Sequence, residues 1–212
     1  MKTKYFFLVV FLFSFFANSA QDIGAPPKKP DIFAVDLLGF SSPILHRNFF
    51  GFSMDVKYYI KQKWGTGINF AATSKKVSTD YAVGAYEPDV IYFSFGWLNQ
   101  YDFVQQDDVR LGVTLNNGFA IVNLRDRSET QIVYDEFGST EVPVSKARNL
   151  FYTIEPGVTA SFRVLKNNNF SDVYVTTQAK YRKVFGNPEF AKTKDFNGYF
   201  IGFGVSFIGL MD

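Results

Sequence analysis

"GFSMDVKYYI", residues 51–60, separates into two unlike sets when every second residue is taken. Phe52, Met54, Val56, Tyr58 and Ile60 form one set, and Gly51, Ser53, Asp55, Lys57 and Tyr59 the other. A strict period of two places successive side chains on opposite faces of a β-strand. The fold turns on which face points inward. In a soluble sheet the apolar face makes the core. In a barrel that crosses a membrane the apolar face meets lipid and the polar face lines the interior.

The same alternation recurs along the chain. Strands are expected at 31–40, 51–61, 65–73, 90–101, 108–124, 149–164, 172–183 and 198–210. In "VIYFSFGWLNQY" Ile91, Phe93, Phe95 and Trp97 oppose Tyr92, Ser94, Gly96 and Leu98. In "GYFIGFGVSFIGL" Tyr199, Ile201, Phe203, Val205 and Phe207 oppose Phe200, Gly202, Gly204 and Ser206. Pro156 has no N–H for a ladder, so weak pairing or a bulge is expected beside it. No long segment has the spacing of an amphipathic helix. Aromatic residues make up 19% of the chain, and almost all the Phe beyond the N-terminus falls in these alternating runs.

The polar face is rich in small residues, among them Gly67, Ser94, Gly96, Gly112, Gly118, Gly157, Ser161, Gly202, Gly204 and Ser206. Glycine weakens a solvated strand and has no packing reason to recur there. Inside an eight-stranded barrel it fits, because that interior is only wide enough for side chains to fill. Asp36, Asp55, Glu155, Lys57, Arg110, Arg163, Lys180 and Arg182 share this face and should pair with one another. The apolar face would overfill a small soluble barrel, whereas facing hydrocarbon it needs no partner sheet. Closure satisfies every backbone group, as lipid requires. Trp64, Trp97 and Tyr101 near one end, and Tyr152, Tyr181 and Tyr199 near the other, would form two interfacial girdles.

The connections are expected to alternate. Residues 41–48, 74–89, 125–148 and 184–197 read as long loops, and 62–64, 102–107 and 165–171 as short turns. Short turns on one side and long loops on the other, with an even strand number, are the plan of an outer-membrane barrel with both termini periplasmic. Within the longest connection, "QIVYDEFGSTEVPV" suits a hairpin continuing the flanking strands above the membrane.

The N-terminus reads as a secretory signal, residues 1–20. Lys2 and Lys4 precede the apolar run "YFFLVVFLFSFF", and "ANSA" offers cleavage after Ser19 or Ala20. The apolar run is shorter than a spanning helix needs. Residues 21–30 form a Pro-rich periplasmic linker, and 31–212 a single barrel. The full chain carries 22 Lys+Arg against 20 Asp+Glu. Losing Lys2 and Lys4 leaves the charges balanced, so no basic field argues for nucleic acid. There is no Cys, which excludes a disulfide scaffold, a thiolate metal site and a lipobox anchor.

The chain resembles the small eight-stranded outer-membrane proteins of Gram-negative bacteria, the OmpX-like barrels and the barrel domain of OmpA. "YFIGFGVSFIGLMD" looks like a C-terminal barrel-insertion signal, although it ends in Leu210, Met211 and Asp212 rather than an aromatic. The resemblance implies an all-β, eight-stranded antiparallel up-and-down transmembrane barrel in the outer membrane. It also implies outer-membrane lipid as surroundings, a filled interior without an open pore, and a structural, binding or accessory role with a protein partner at the long loops or in a membrane complex.

Candidate chemistry is sparse. His46 is the only His. Barrels of similar size that modify lipid use a His with a Ser and an acid, and here His46, beside Ser41 and Ser42, is the one residue able to serve a lipid hydrolase or acyltransferase. No metal-ligand spacing is visible. "GFGVSFIG" has spaced glycines but lies on a strand with no helix after it, which is not a nucleotide loop. The expectation is no catalytic residue, no cofactor and no metal site. The rival reading is an exported soluble barrel of lipocalin type, its apolar face turned inward around a ligand.

Overall fold

Alternating strands become a ring when each finds its sequence neighbour and the last finds the first. The computed structural model describes residues 32–61, 63–78, 84–106, 108–136, 138–166 and 171–210. The expected signal, linker and final residues Met211 and Asp212 lie outside them. The strands are β1 (Ile32–Ile44), β2 (Arg47–Lys61), β3 (Trp64–Lys76), β4 (Pro88–Gln105), β5 (Val109–Asp135), β6 (Gly138–Leu165), β7 (Ser171–Phe185) and β8 (Gly198–Leu210). They close as an antiparallel up-and-down barrel in sequence order, with β1 pairing β8 from Ile32–Leu210 to Ser41–Ile201. A single 3-10 turn, Thr193–Phe196, sits between β7 and β8.

The faces divide as the alternation demands. Ser53, Asp55, Lys57 and Tyr59 are buried inside, while Phe52, Tyr58 and Ile60 are exposed outside. The same inversion holds on β8, where Phe203 is 66% exposed and Ser206 is 1% exposed. The soluble alternative, with its apolar face turned inward, is therefore not the fold. The outer surface is not wholly apolar: Thr66 donates to Asn99 at 3.2 Å, and the Thr177 hydroxyl to the Gly202 carbonyl at 3.2 Å, so these outward polar groups are satisfied locally.

Close packing of strand on strand explains the inward glycines. A Cβ on Gly118 would stand 2.1 Å from the Phe95 carbonyl oxygen and 2.4 Å from the Gly96 Cα. A Cβ on Gly204 would stand 2.0 Å from the Leu37 carbonyl oxygen. These positions admit no side chain because the adjacent backbone already occupies the space. At Pro156 the pairing is one-sided, as expected: Leu115 still pairs with it, but the ladder to β7 skips from Ile154–Lys183 to Gly157–Lys180.

Two loop expectations are corrected. The stretch 41–48 is not a long loop: β1 and β2 pair to Ile44–Arg47, leaving only Leu45 and His46 as the turn. Both have positive φ, 51° and 60°, the geometry of a two-residue hairpin turn that usually takes Asn-Gly. The stretch 125–148 is mostly strand. β5 and β6 run on as the expected hairpin, paired as far as Asp135–Gly138. The connections 77–87 and 186–197 remain long. β1 begins and β8 ends on the side of the β2–β3, β4–β5 and β6–β7 connections.

Candidate functional site

The interior is built of stacked polar and apolar layers. Toward the short-turn end, Lys57 donates to Asp36 at 2.6 Å and to Gln100 at 2.9 Å. Gln100 donates to Asp102 at 2.6 Å and to the Tyr59 hydroxyl at 3.1 Å, and that hydroxyl donates to Asp102 at 3.0 Å. Arg110 lies over the rings of Tyr59 and Tyr174, at 5.4 and 5.8 Å. In the middle, Asn69 and Gln178 both donate to Asp55, and Asn116 donates to Glu155 at 3.0 Å. Lys180 stands 3.9 Å from Asp55 and 5.2 Å from the Phe200 ring centroid. Charges buried this deeply need partners, and Lys180 Nζ, which has no hydrogen bond among the described residues, has only that ion pair and the ring.

Seven of the eight ionic residues expected inside are buried there. Arg163 instead lies at the short-turn rim, clamped by Asp108 at 2.6 Å and Asp172 at 3.1 Å. Sequence reading missed Asp102, Asp89 and Asp126, all buried. Asp102 was legible by extending the β4 period one residue beyond Tyr101. Sequence reading also placed no plug at the mouth, which the next layer provides.

At the long-loop end the lumen becomes apolar. Ile44, Leu45, Phe49, Tyr92, Val122, Leu124, Phe151 and Val184 project inward, and Phe190 and Phe196 descend from the 186–197 loop onto them. Phe196 packs against Phe151 with the rings tilted and their centroids 4.8 Å apart. Buried Arg182 secures this plug. Its Nε donates to the Phe196 carbonyl at 2.9 Å, its Nη2 donates to the Ser42 hydroxyl at 3.1 Å, and its guanidinium lies 4.7 Å from the Tyr92 ring centroid. Asn149 holds the loop's other end, donating to the Phe190 carbonyl at 3.2 Å and accepting from the Glu189 amide at 2.6 Å.

His46 belongs to this plug. Its Nε2 lies 3.1 Å from an oxygen of Asp195, and the Leu45 amide donates to the Asp195 carbonyl at 2.8 Å. A His–acid pair is thus assembled, but the Ser42 hydroxyl is buried and given to Arg182 rather than to His46. The structure brings together two of the three groups an acyl-transfer site would need. Among the described residues, no group of three or more His, Cys, Asp and Glu is arranged to hold a metal ion.

Outside the plug, the mouth is braced by Asp126. The amides of Tyr86, Glu87 and Ser128 and the Ser128 hydroxyl all donate to its carboxylate, at 2.7–3.0 Å. Burial alone would raise its pKa. The Ser128 hydroxyl and these three amides outweigh burial and hold the carboxyl well below the usual carboxylate range. Beside it, Asp89 accepts from Arg125 at 2.6 Å, with Arg127 at 3.6 Å.

The chain is a closed eight-stranded barrel, greasy outside and ionic within. No family model matches it, and no curated protein does. Solved structures of bacterial outer-membrane barrels are similar to it. Ail of Yersinia pestis, bound to the heparin analogue sucrose octasulfate, aligns over 85% of this chain and 99% of its own at 16% identity and a TM-score of 0.47. The Neisserial surface protein NspA aligns over 85% and 97% at 13% identity and a TM-score of 0.49. The N-terminal barrel domain of Pseudomonas aeruginosa OprF aligns over 85% and 98% at 11% identity and a TM-score of 0.37. The resemblance is one of architecture; the placement of side chains carries the functional reading.

Proposed function

We propose that this protein is an integral outer-membrane barrel of a Gram-negative bacterium, sealed rather than porous, with a structural, binding or accessory role and no catalytic one. The observation that carries the reading is the inversion of faces. Along β4 the apolar residues from Ile91 to Phe103 face out, a length suited to a tilted strand crossing hydrocarbon. Trp64 and Tyr101 pair at one end of this surface, 6.1 Å apart, and Tyr181 and Tyr199 at the other, 5.3 Å apart, where interfacial girdles belong. The β2–β3, β4–β5 and β6–β7 connections and both termini then face the periplasm. The ion-pair layers and the apolar plug support a sealed lumen in series.

The processed protein is expected in the outer-membrane fraction, requiring detergent for solubility and migrating faster on a gel before boiling than after. A monodisperse, soluble protein without amphiphile would overturn the reading. For the absence of catalysis, the expected result is a lipid A mass profile unchanged by His46→Ala, since Ser42 is committed to Arg182. A shifted profile would restore the hydrolase or acyltransferase alternative.

A further inference from the structure

β5 and β6 continue where their neighbours stop. The β4 ladder to β5 ends at Pro88–Asp126, and the β7 ladder to β6 ends at Tyr152–Phe185. β5 and β6 nevertheless stay paired from Thr130–Pro143 to Asp135–Gly138. At about 3.4 Å per residue, the stretch 128–135 carries the tip on the order of 25 Å beyond the rim. A two-stranded ribbon in water is marginal on its own, and among the described residues no strand pairs with the outer edge of β5 over 128–135, an edge that is a template for one.

Three properties of the ribbon say what kind of strand would fit. Its root is fixed: Asp126 gathers four donors, and Lys146 holds Glu129 at 2.7 Å. Its outer part carries three consecutive large apolar residues in the open, Ile132, Val133 and Tyr134, the last 78% exposed. Beyond that root, from Thr130 to Val144, the sequence holds Asp135, Glu136 and Glu141 and no Lys, Arg or His. Such an apolar and acidic surface repels a second copy of itself and complements a cationic strand. β6 carries Pro143, which supplies no donor, so β5 is the strand with its donors complete.

We propose that the β5–β6 ribbon docks a basic, extended segment of another polypeptide, added as a strand along the β5 edge at 128–135. This deepens the accessory reading above by giving the partner's chemistry. Backbone hydrogen bonds would supply the pairing, alternate apolar side chains would cover Ile132 and Tyr134, and Lys or Arg would meet the acids.

The test uses the whole processed protein in detergent and three labelled peptides: acetyl-(Lys-Val)4-amide, its Glu-Val counterpart, and a Lys-Gly peptide with the charge but little strand propensity. The Lys-Val peptide is expected to bind at least ten-fold more tightly than either control. Replacing Glu136 and Glu141 by Gln and Asp135 by Asn together should weaken it at least ten-fold, as should Thr130→Pro with Ile132→Pro. Equal binding of the Lys-Gly peptide would reduce the site to charge and overturn strand addition. No binding, equal binding of the Glu-Val peptide, or affinity unmoved by the variants would overturn the proposal outright. So would a dimer in sedimentation that depends on the ribbon. Heat-shifted gel migration reports the barrel separately, so failure of the ribbon proposal and failure of the membrane reading give different results.

Discussion

At the scale of single residues, the barrel is specified by what cannot be added inside it. A methyl group on Gly118 would meet the Phe95 carbonyl at 2.1 Å, whereas one on the outward Gly39 would meet nothing nearer than 3.8 Å. Gly118→Ala is therefore expected to destabilise the barrel by at least about 1–3 kcal/mol, the range for overpacking, and Gly39→Ala to leave it nearly unchanged. Urea unfolding in lipid vesicles measures both. The buried pair makes a second case. Lys57→Met strands Asp36 and Gln100 without their shared donor, at a cost of roughly 3–5 kcal/mol for an uncompensated buried charge. Adding Asp36→Asn should recover much of that loss, because the penalty comes from the stranded charge. Equal losses in the single and double variants would show that the pair itself is the source of stability. The faces of these residues were legible in the sequence because a period of two admits one register. The close approach at Gly118 was legible only as a preference for small residues, since which backbone lies against it depends on pairing across strands.

At the scale of elements, what the sequence concealed lies where tertiary contacts override local preference. Leu45 and His46 form the β1–β2 turn with positive φ and no glycine. Nothing local marks such a turn. Leu45 is held by burial in the plug and by the hydrogen bond its amide donates to the carbonyl of Asp195, a residue far along the chain. Phe190 and Phe196 were equally hidden, because a plug that packs from a loop has no periodicity to read. Asp126 ties Tyr86 and Glu87, at the end of the β3–β4 connection, to the ribbon root and gives a pH dependence of definite sign. Its folded pKa lies below the unfolded value of about 3.9. The stability it contributes is then fully present above that value and is lost as pH falls through the folded pKa. Hydrogen exchange of the Tyr86, Glu87 and Ser128 amides is expected to stay slow from neutral pH down to about 4 and to accelerate only below it, after correction for intrinsic rates. Asp126→Asn should accelerate exchange already at neutral pH and flatten the acid dependence.

At the scale of the whole molecule, two unlike seals stand in series along one axis. The lower is polar, Lys57 with Asp36 and Gln100 and, next to them, Asp55 and Glu155 with Asn69, Gln178 and Asn116. The upper is apolar, Phe190 and Phe196 on Phe151, Val122 and Leu124. They fail by different physics. Removing aromatic bulk from the upper seal admits water to the mouth but leaves a lumen crossed by hydrogen-bonded side chains. Removing the ionic group leaves a hydrophobic constriction that excludes ions by dewetting. Neither change alone should give steady current. In planar bilayers the unaltered protein is expected to be silent. Phe190→Ala with Phe196→Ala, and Lys57→Ser with Asp36→Ser, should each remain without discrete openings. Because the middle layer of Asp55 and Glu155 with Asn69, Gln178 and Asn116 still crosses the lumen, these four substitutions need Asp55→Ser and Glu155→Ser beside them, and the combined variant should then produce discrete steps, provided it still shows heat-shifted migration. Steps from the upper-seal variant alone would mean that the polar layers conduct once wetted, making the plug the only gate. Steps from the unaltered protein would mean that the side chains crossing the lumen move aside on their own.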